Sequence, residues 1–518
     1  MLVTKRFVTE CPINVHQLGV FSGCTHQIAV GDVYNFVASS TNIPHFEFSD
    51  EKNVRWSSLG LSSGMKEVKK LISNDKFQYT TIYKQIFIND LGCDNYSYYG
   101  FSLLDSKFLH TKEQVYMEMS SHLNQIKLYI YSLVTHNILL NHYDMEFIIH
   151  GFVELILNRY VESVYGIHDR NYRYQKMHDT VIHLDSSGYA LPLFPQMLTE
   201  QFERLSLHFV TYMKYKASVL FQMIENIIGQ NYMNNFINSL LDEFKFQHEA
   251  YKWPYRDVVA LDQPDKDCHL YRSLTKHSMN MYDFLRILRL HAINLSTQVL
   301  SENTFVQRWI FGTGLLYLRG AVDIDNISRT TNLVLDQVGY RGGVCSKDSK
   351  YEDKLLMVML ESDKTQTEFV KNLGSKVITH LLPFQAKILK KGPGGKRKRL
   401  NEPMEMNDEV FHEKQEDKKE EDDGKEIKNA LSMARKGSPI TPLVRYVSID
   451  PFNFWIKSIH FVAPIEMFVE QLYTDYDTFG QINALRQMSL AKTVDERYFY
   501  GLLTNLLSIG FLIPFFVT

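Results

Sequence analysis

The hydrophobic period of this chain changes along its length, and that change bounds what it can fold into. Between about residues 50 and 300, apolar residues recur at three- and four-residue spacing over 64–72, 112–134, 144–165, 196–226 and 277–300, which predicts helices. Between about 301 and 460 they alternate instead. Leu315-Tyr317-Leu318, Ala321-Val322-Asp323-Ile324, Asn332-Leu333-Val334-Leu335, the run 355–360 and the run 454–461 read as short strands of a β-sandwich. The helical period returns from Glu466. The segments 17–21 and 26–31 also alternate and read as strands. Segregated periods of this kind give a multidomain α+β chain.

At 518 residues and 45% hydrophobic content, the chain has apolar material for two to four domains, each with its own core. A net charge of −3 excludes a global basic field, so any contact with nucleic acid has to come from a local patch or from partners. Five cysteines without a C-x-x-C pair imply a reducing compartment and support neither a disulfide framework nor a zinc ribbon. The first residues lack the long apolar stretch of a signal peptide.

The sandwich region is interrupted between about 390 and 435 by a Gly/Pro-rich basic run and then an acidic run over 413–423. Such a tract buries too little apolar surface to offset its ordering entropy, so it is expected to be a disordered insertion. Its tetrad Lys396, Arg397, Lys398 and Arg399 is a candidate nuclear-import patch or phosphate contact; the plainer reading is a solvated charge cluster. The acidic run reads as a solubilising linker. His178, Asp179, His183 and Asp185 could be pictured around a metal, but a five-residue histidine spacing does not stack on one helix face, and a turn near Ser186-Ser187-Gly188 is the simpler expectation. The uncharged stretch 501–518 barely reaches bilayer length; Asn505 and Pro514 favour a buried helix or translated non-coding sequence over a tail anchor.

Residues 77–90, with Phe77-Gln78-Tyr79 and Phe87-Ile88-Asn89-Asp90, and the segment Ile149-His150-Gly151-Phe152 resemble the zinc aminopeptidases, the family of aminopeptidase N. In that family one helix carries H-E-x-x-H and a second carries N-E-G-F. Aligning the Gly-Phe pair puts the three metal-ligand positions at Lys127, Tyr131 and His150, and the general-base position at Leu128. None keeps the family residue. Zinc needs lone-pair donors and an open position for water. A lysine is a cation at neutral pH, and a leucine cannot take a proton. Independently of the alignment, no two of the nineteen histidines lie four residues apart, so H-E-x-x-H is absent throughout. The family's amine-clamping G-A-M-E-N loop corresponds to Ser97-Tyr98-Tyr99-Gly100-Phe101, which has no carboxylate, and its transition-state tyrosine to Met213, flanked by Tyr212 and Tyr215. The resemblance therefore implies the peptidase fold without catalysis, cofactor or small-molecule substrate.

That combination, with Ala217 to Asn226, Phe305 to Ile310 and above all the block 438–488, resembles the subunit 2 family of the general transcription factor TFIID. Arg445-Tyr446-Val447-Ser448-Ile449-Asp450-Pro451, then Gln471-Leu472-Tyr473, Asp475, Gln481 and Ala484-Leu485 look like that family's W-I-R-I-D-P … Y-Q-L-x-Y-E-R-D … Q-x-x-A-L. The resemblance implies an end of an N-terminal β-domain over 1–49, an inactive peptidase-like helical domain over 50–300, a β-sandwich over 301–460 and the beginning of helical repeats over 461–518. Much of the N-terminal domain and most of the repeats are expected to be missing. It further implies a nuclear protein whose partners are the TATA-binding protein and its associated factors, notably subunits 1 and 8, with core promoter DNA and no membrane. Left open beside it are a zinc aminopeptidase with an unusual site and an inactive peptidase homologue outside transcription. The DNA-contacting residues are not legible in the sequence.

Overall fold

The computed structural model describes residues 19, 21, 25–30, 33–38, 48–72, 83–88, 91, 95–138, 140, 143–187, 190–194, 207–244, 279–292, 305–325, 328–337, 354–372, 378–385 and 443–490. The insertion expected at 390–435, with Lys396–Arg399, and the stretch 501–518 lie outside them. Two compact units interleave in sequence. The first takes the chain to Leu316 plus Asn453–Lys457, and the second holds Tyr317–Gly339, Lys350–Phe452 and the chain from Ser458.

In the first unit, strands β1 (Thr25–Val30), β2 (Val33–Ala38), β3 (Lys84–Ile88), β4 (Tyr96–Tyr98) and β5 (Phe101–Asp105) form one sheet in the order β1-β2-β3-β5-β4. The β2–β3 and β3–β5 pairs are parallel, and the outer pairs antiparallel. The two strands before residue 49, expected to close a separate domain, share this sheet with the strands that follow α1 (Phe48–Ser57) and α2 (Leu61–Ile72). Central β3 buries Gln85, Ile86 and Phe87, as a strand flanked on both sides must. Phe87 and Leu104 join Ile28, Val54 and Leu128 in one apolar cluster, which seats α1 and α3 (Val115–Asn137) on the sheet.

Helix α4 (Glu146–Val164) is the centre of this unit. It is apolar nearly all round and lies against α3, α5 (Ile167–Ser186) and α6 (Leu207–Ile228), as a fully buried helix should. A Cβ on Gly151 would come within 2.2 Å of the Phe221 ring, so this glycine is what lets α6 approach. Phe152 stacks edge-on against Phe221 at 4.8 Å. Gly166, at φ +104°, ends α4 by donating its N–H to the Val161 carbonyl and turns the chain into α5. Helices α7 (Gln230–Phe244) and α8 (Met281–Ala292) add Phe236 and Phe284 to the aromatic core.

The second unit has two sheets. One runs β10-β7-β6-β12, from β6 (Leu316–Asp325), β7 (Thr330–Gln337), β10 (Ile378–Pro383) and β12 (Lys457–Val462); the other runs β11-β8-β9, from β8 (Lys354–Glu361), β9 (Gln366–Asn372) and β11 (Val444–Ile449). Val322 and Ile324 from the first sheet and Met359, Val444 and Val447 from the second share one apolar cluster, the packing of a sandwich. The alternating runs at 315–318 and 321–324 are a single strand. Gly320 does not break it; it makes room for Phe461, whose ring would lie 2.7 Å from a Cβ there. Helices α9 (Ile465–Thr474) and α10 (Thr478–Leu490) follow the sandwich, with Met467 of α9 in its core.

Candidate functional site

Helices α3 and α4 bring three of the sequence-derived positions together. Tyr131 lies one turn beyond Lys127 on α3, and its ring centroid is 5.6 Å from that of His150 on α4. The hydroxyl of Tyr131 donates to Glu146 Oε1 at 3.3 Å, and His150 Nε2 lies 3.6 Å from the same oxygen. Glu146 and His150 are one turn apart, so both face α3. Lys127 is turned to the next residue along that stripe, Glu154, with Nζ 2.5 Å from Oε1. Arg173 of α5 holds the other carboxylate oxygen.

The electrostatics follow from these contacts. Burial alone would raise the Glu154 carboxyl, but Arg173 and Lys127 together outweigh it and hold the group at about 2. Glu154 is therefore a buried anion between two cations, with its side chain 6% exposed against 38% for Lys127. His150 is pushed the other way: burial lowers its pKa, Glu146 partly offsets that, and the charges of Lys214 and Lys127 lower it further. It is a neutral imidazole beside a carboxylate.

The other two positions serve packing. Leu128 points into the apolar cluster of the sheet, and its carbonyl accepts from Ser97 Oγ at 2.8 Å, which fastens β4 along α3. Ser132 Oγ returns a bond to the Tyr98 carbonyl at 2.9 Å. Met213 is buried on α6; it is the next residue, Lys214, whose charge reaches His150. His178, Asp179, His183 and Asp185 all lie on α5. Within the first unit His178 Nε2 meets the Trp455 carbonyl at 3.2 Å and the Lys457 amide at 3.3 Å, a structural role for a buried ring. The turn expected near Ser186-Ser187-Gly188 is present at Ser187, directly after the helix.

Sequence reasoning missed Glu146, Glu154, Arg173 and Lys214. A signal for the first two was present: Glu146, His150 and Glu154 recur every four residues in a stretch, 146–157, that is otherwise apolar, and a polar stripe on a buried helix needs partners.

The fit to zinc can be tested on these side chains. Of the three positions that the sequence alignment assigns to ligands, one is a lysine already paired with a carboxylate, one a phenol bonded to Glu146, and only the third offers an imidazole lone pair. Among the described residues no group of three or more His, Cys, Asp and Glu side chains is placed to hold a metal ion. The set does not fit the ion.

The structure is similar to that of an aminopeptidase A of Legionella pneumophila solved in complex with aspartic acid, with a TM-score of 0.50 and 7% sequence identity over 91% of this chain and 43% of that one. This chain thus spans less than half of that protein's length, and at this identity the likeness is one of fold. No family model matches the sequence, and no curated protein matches it. The fold is aminopeptidase-like, multidomain and α+β.

Proposed function

We propose that this chain is a non-enzymatic subunit of the general transcription factor TFIID. In this reading it is a scaffold and core-promoter (initiator) contact in assembly of the RNA polymerase II preinitiation complex. The observation that carries the non-enzymatic half is the Lys127–Glu154–Arg173 cluster. Lys127, which the sequence alignment assigns to the first metal-ligand position, is a cation whose charge is balanced by a buried carboxylate rather than left to repel an ion. Displacing Lys127 towards solvent to admit zinc would leave Glu154 half-paired at a cost of about 2–4 kcal/mol, the range for breaking a buried pair discounted for the partial exposure of Lys127. The adjacent position for a general base is Leu128, packed into the sheet core.

The transcription half rests on the sequence block 438–488 and its resemblance to the subunit 2 family. Its Arg445, Gln471, Asp475 and Gln481 sit on the last strands and helices of the second unit, where Arg445 pairs with Glu470 and Gln481 bonds the Asp475 carbonyl. Fold alone does not select a function. The proposed partners are the TATA-binding protein and its associated factors, notably subunits 1 and 8, with core promoter DNA, in the nucleus. Affinity capture of the tagged chain from nuclear extract tests this. Recovery of TATA-binding protein with its associated factors is expected, and their absence from a capture that retains the folded chain would overturn it.

A further inference from the structure

In the second unit the edges of the two sheets are treated differently. The outer side of β12 is closed by one side chain: Gln487 of α10 accepts from the Phe461 amide and donates to the Ile459 carbonyl, both at 2.9 Å. Among the described residues, strand β9 has no such cover. It ends the sheet order β11-β8-β9, and among the described residues nothing pairs with its far side.

The register identifies which of its groups face outward. At the β8–β9 turn the Glu361 amide donates to the Thr365 carbonyl at 2.9 Å, so 361 and 365 form a hydrogen-bonded pair. Such pairs alternate along an antiparallel ladder. Pairing of Met359 with Thr367 and of Met357 with Phe369 is therefore bonded, and pairing of Leu360 with Gln366, Val358 with Glu368 and Leu356 with Val370 is not. The opposite side of β8 agrees, because the Leu356 carbonyl accepts from Asp450, away from β9, at 2.7 Å. The N–H and C=O groups of Gln366, Glu368 and Val370 thus point out of the sheet edge.

The side chains along this edge are mixed in a specific way. Phe369 packs against the sandwich core, Val370 is 58% exposed, and Glu368 is exposed with no ion-pair partner among the described residues. A strand added beside β9 would place one residue next to Phe369, one next to Val370 and one next to Glu368. Complementarity asks for two apolar residues followed by a basic one.

We propose that the β9 edge is a docking strand for an extended peptide of apolar-apolar-basic pattern from a partner protein, which completes the sheet by backbone hydrogen bonds. The charge at Glu368 selects against acidic segments and against a second copy in the symmetric register, where Glu368 would face Glu368. A strand of this length buries too little for a permanent interface, so the contact is a weak or auxiliary one.

The test uses the full chain and fluorescein-labelled peptides with the cores Val-Val-Lys-Val-Thr and Val-Val-Glu-Val-Thr, read by anisotropy. The lysine peptide should bind, and the glutamate peptide should bind at least about tenfold more weakly. Glu368→Lys should reverse that order. Val370→Pro removes an outward N–H without touching the β8–β9 ladder, so it should abolish binding while leaving the melting temperature and circular dichroism intact. Equal binding of both peptides, binding that survives Val370→Pro in the folded protein, or no binding at all would overturn the proposal. Concentration-dependent dimerisation lost in Val370→Pro would assign the edge to a second copy, and binding seen only after removal of residues 386–442 would assign it to this chain's own insertion; either result also overturns it.

Discussion

Replacing Glu154 by glutamine leaves Lys127 and Arg173 facing an amide that balances neither charge. Breaking a buried pair costs about 3–5 kcal/mol, but the Lys127 side chain is 38% exposed and can rehydrate, so about 2–4 kcal/mol is expected. A two-unit chain is unsuited to a single unfolding free energy, so the measurement should be local: native-state hydrogen exchange of the α4 amides. Adding Lys127→Met to Glu154→Gln should recover part of the loss. The same groups give a signed pH dependence. Glu154 is held at about 2 in the fold, below its ordinary 4.5, so its contribution is complete above 4.5 and disappears as pH falls from there towards 2. His150 and His178, both lowered chiefly by burial, bind protons more readily unfolded than folded, so their contribution is complete above 6.5 and declines as pH falls below it. Protection of α4 should therefore fall in two stages on acidification, and His150→Gln should flatten the first. At this scale the sequence made legible the residue types that the alignment assigns to two ligand positions, Lys127 and Tyr131, and to the general base, Leu128. It did not expose the replacement network, because Glu154 and Arg173 are 19 residues apart and meet only when α4 and α5 fold together.

Helix α4 shows how the Gly-Phe pair that anchored the sequence alignment is explained by packing. Alanine at 151 would gain about 1 kcal/mol of helix propensity, but its Cβ would stand 2.2 Å from the Phe221 ring, and overpacking of a buried contact costs about 1–3 kcal/mol or more. Gly151→Ala should lower the melting temperature of the first unit, and adding Phe221→Leu should restore much of it; an unchanged melt for the single variant would mean that α6 can retreat freely. Elements with a clean apolar period were legible: α4 falls within the run 144–165, α3 and α6 overlap the runs 112–134 and 196–226, and β7 and β8 contain the alternating runs at 332–335 and 355–360. Helix α5 was not. Its buried positions include the polar residues Asn171, Gln175, His178 and Asp185; Gln175 accepts from Asn453 and His178 meets the Trp455 carbonyl, so its period is hidden from a hydropathy pattern. Strand β9 was hidden for the opposite reason, since an edge strand with an exposed face has no core pattern to show.

For the whole molecule, the net charge of −3 and the absence of an evident zinc finger or basic zipper in the sequence limit how the chain can meet DNA. Isolated protein should bind initiator and scrambled duplexes with similar weak, salt-sensitive affinity, and selectivity should appear only with subunit 1 present. A strong preference for the initiator at physiological salt would contradict that division. Nuclear entry should depend in part on Lys396, Arg397, Lys398 and Arg399; alanine at all four should shift a tagged protein towards the cytoplasm, and an unchanged distribution would mean that import occurs with partners. The aminopeptidase-like fold was legible from the order and spacing of weak motifs. The interleaving of the two units was not, because Asn453–Lys457 joins the first unit through contacts far apart in sequence.

The proposed loss of the metal from this aminopeptidase-like fold can be checked by measuring metal content on the purified full chain, together with hydrolysis of N-terminal aminoacyl reporters with and without chelator. Substoichiometric zinc and no hydrolysis above buffer are expected, because Lys127 is committed to Glu154, Tyr131 to Glu146, and Leu128 to the sheet core. About one zinc per chain, with hydrolysis that a chelator abolishes, would contradict it.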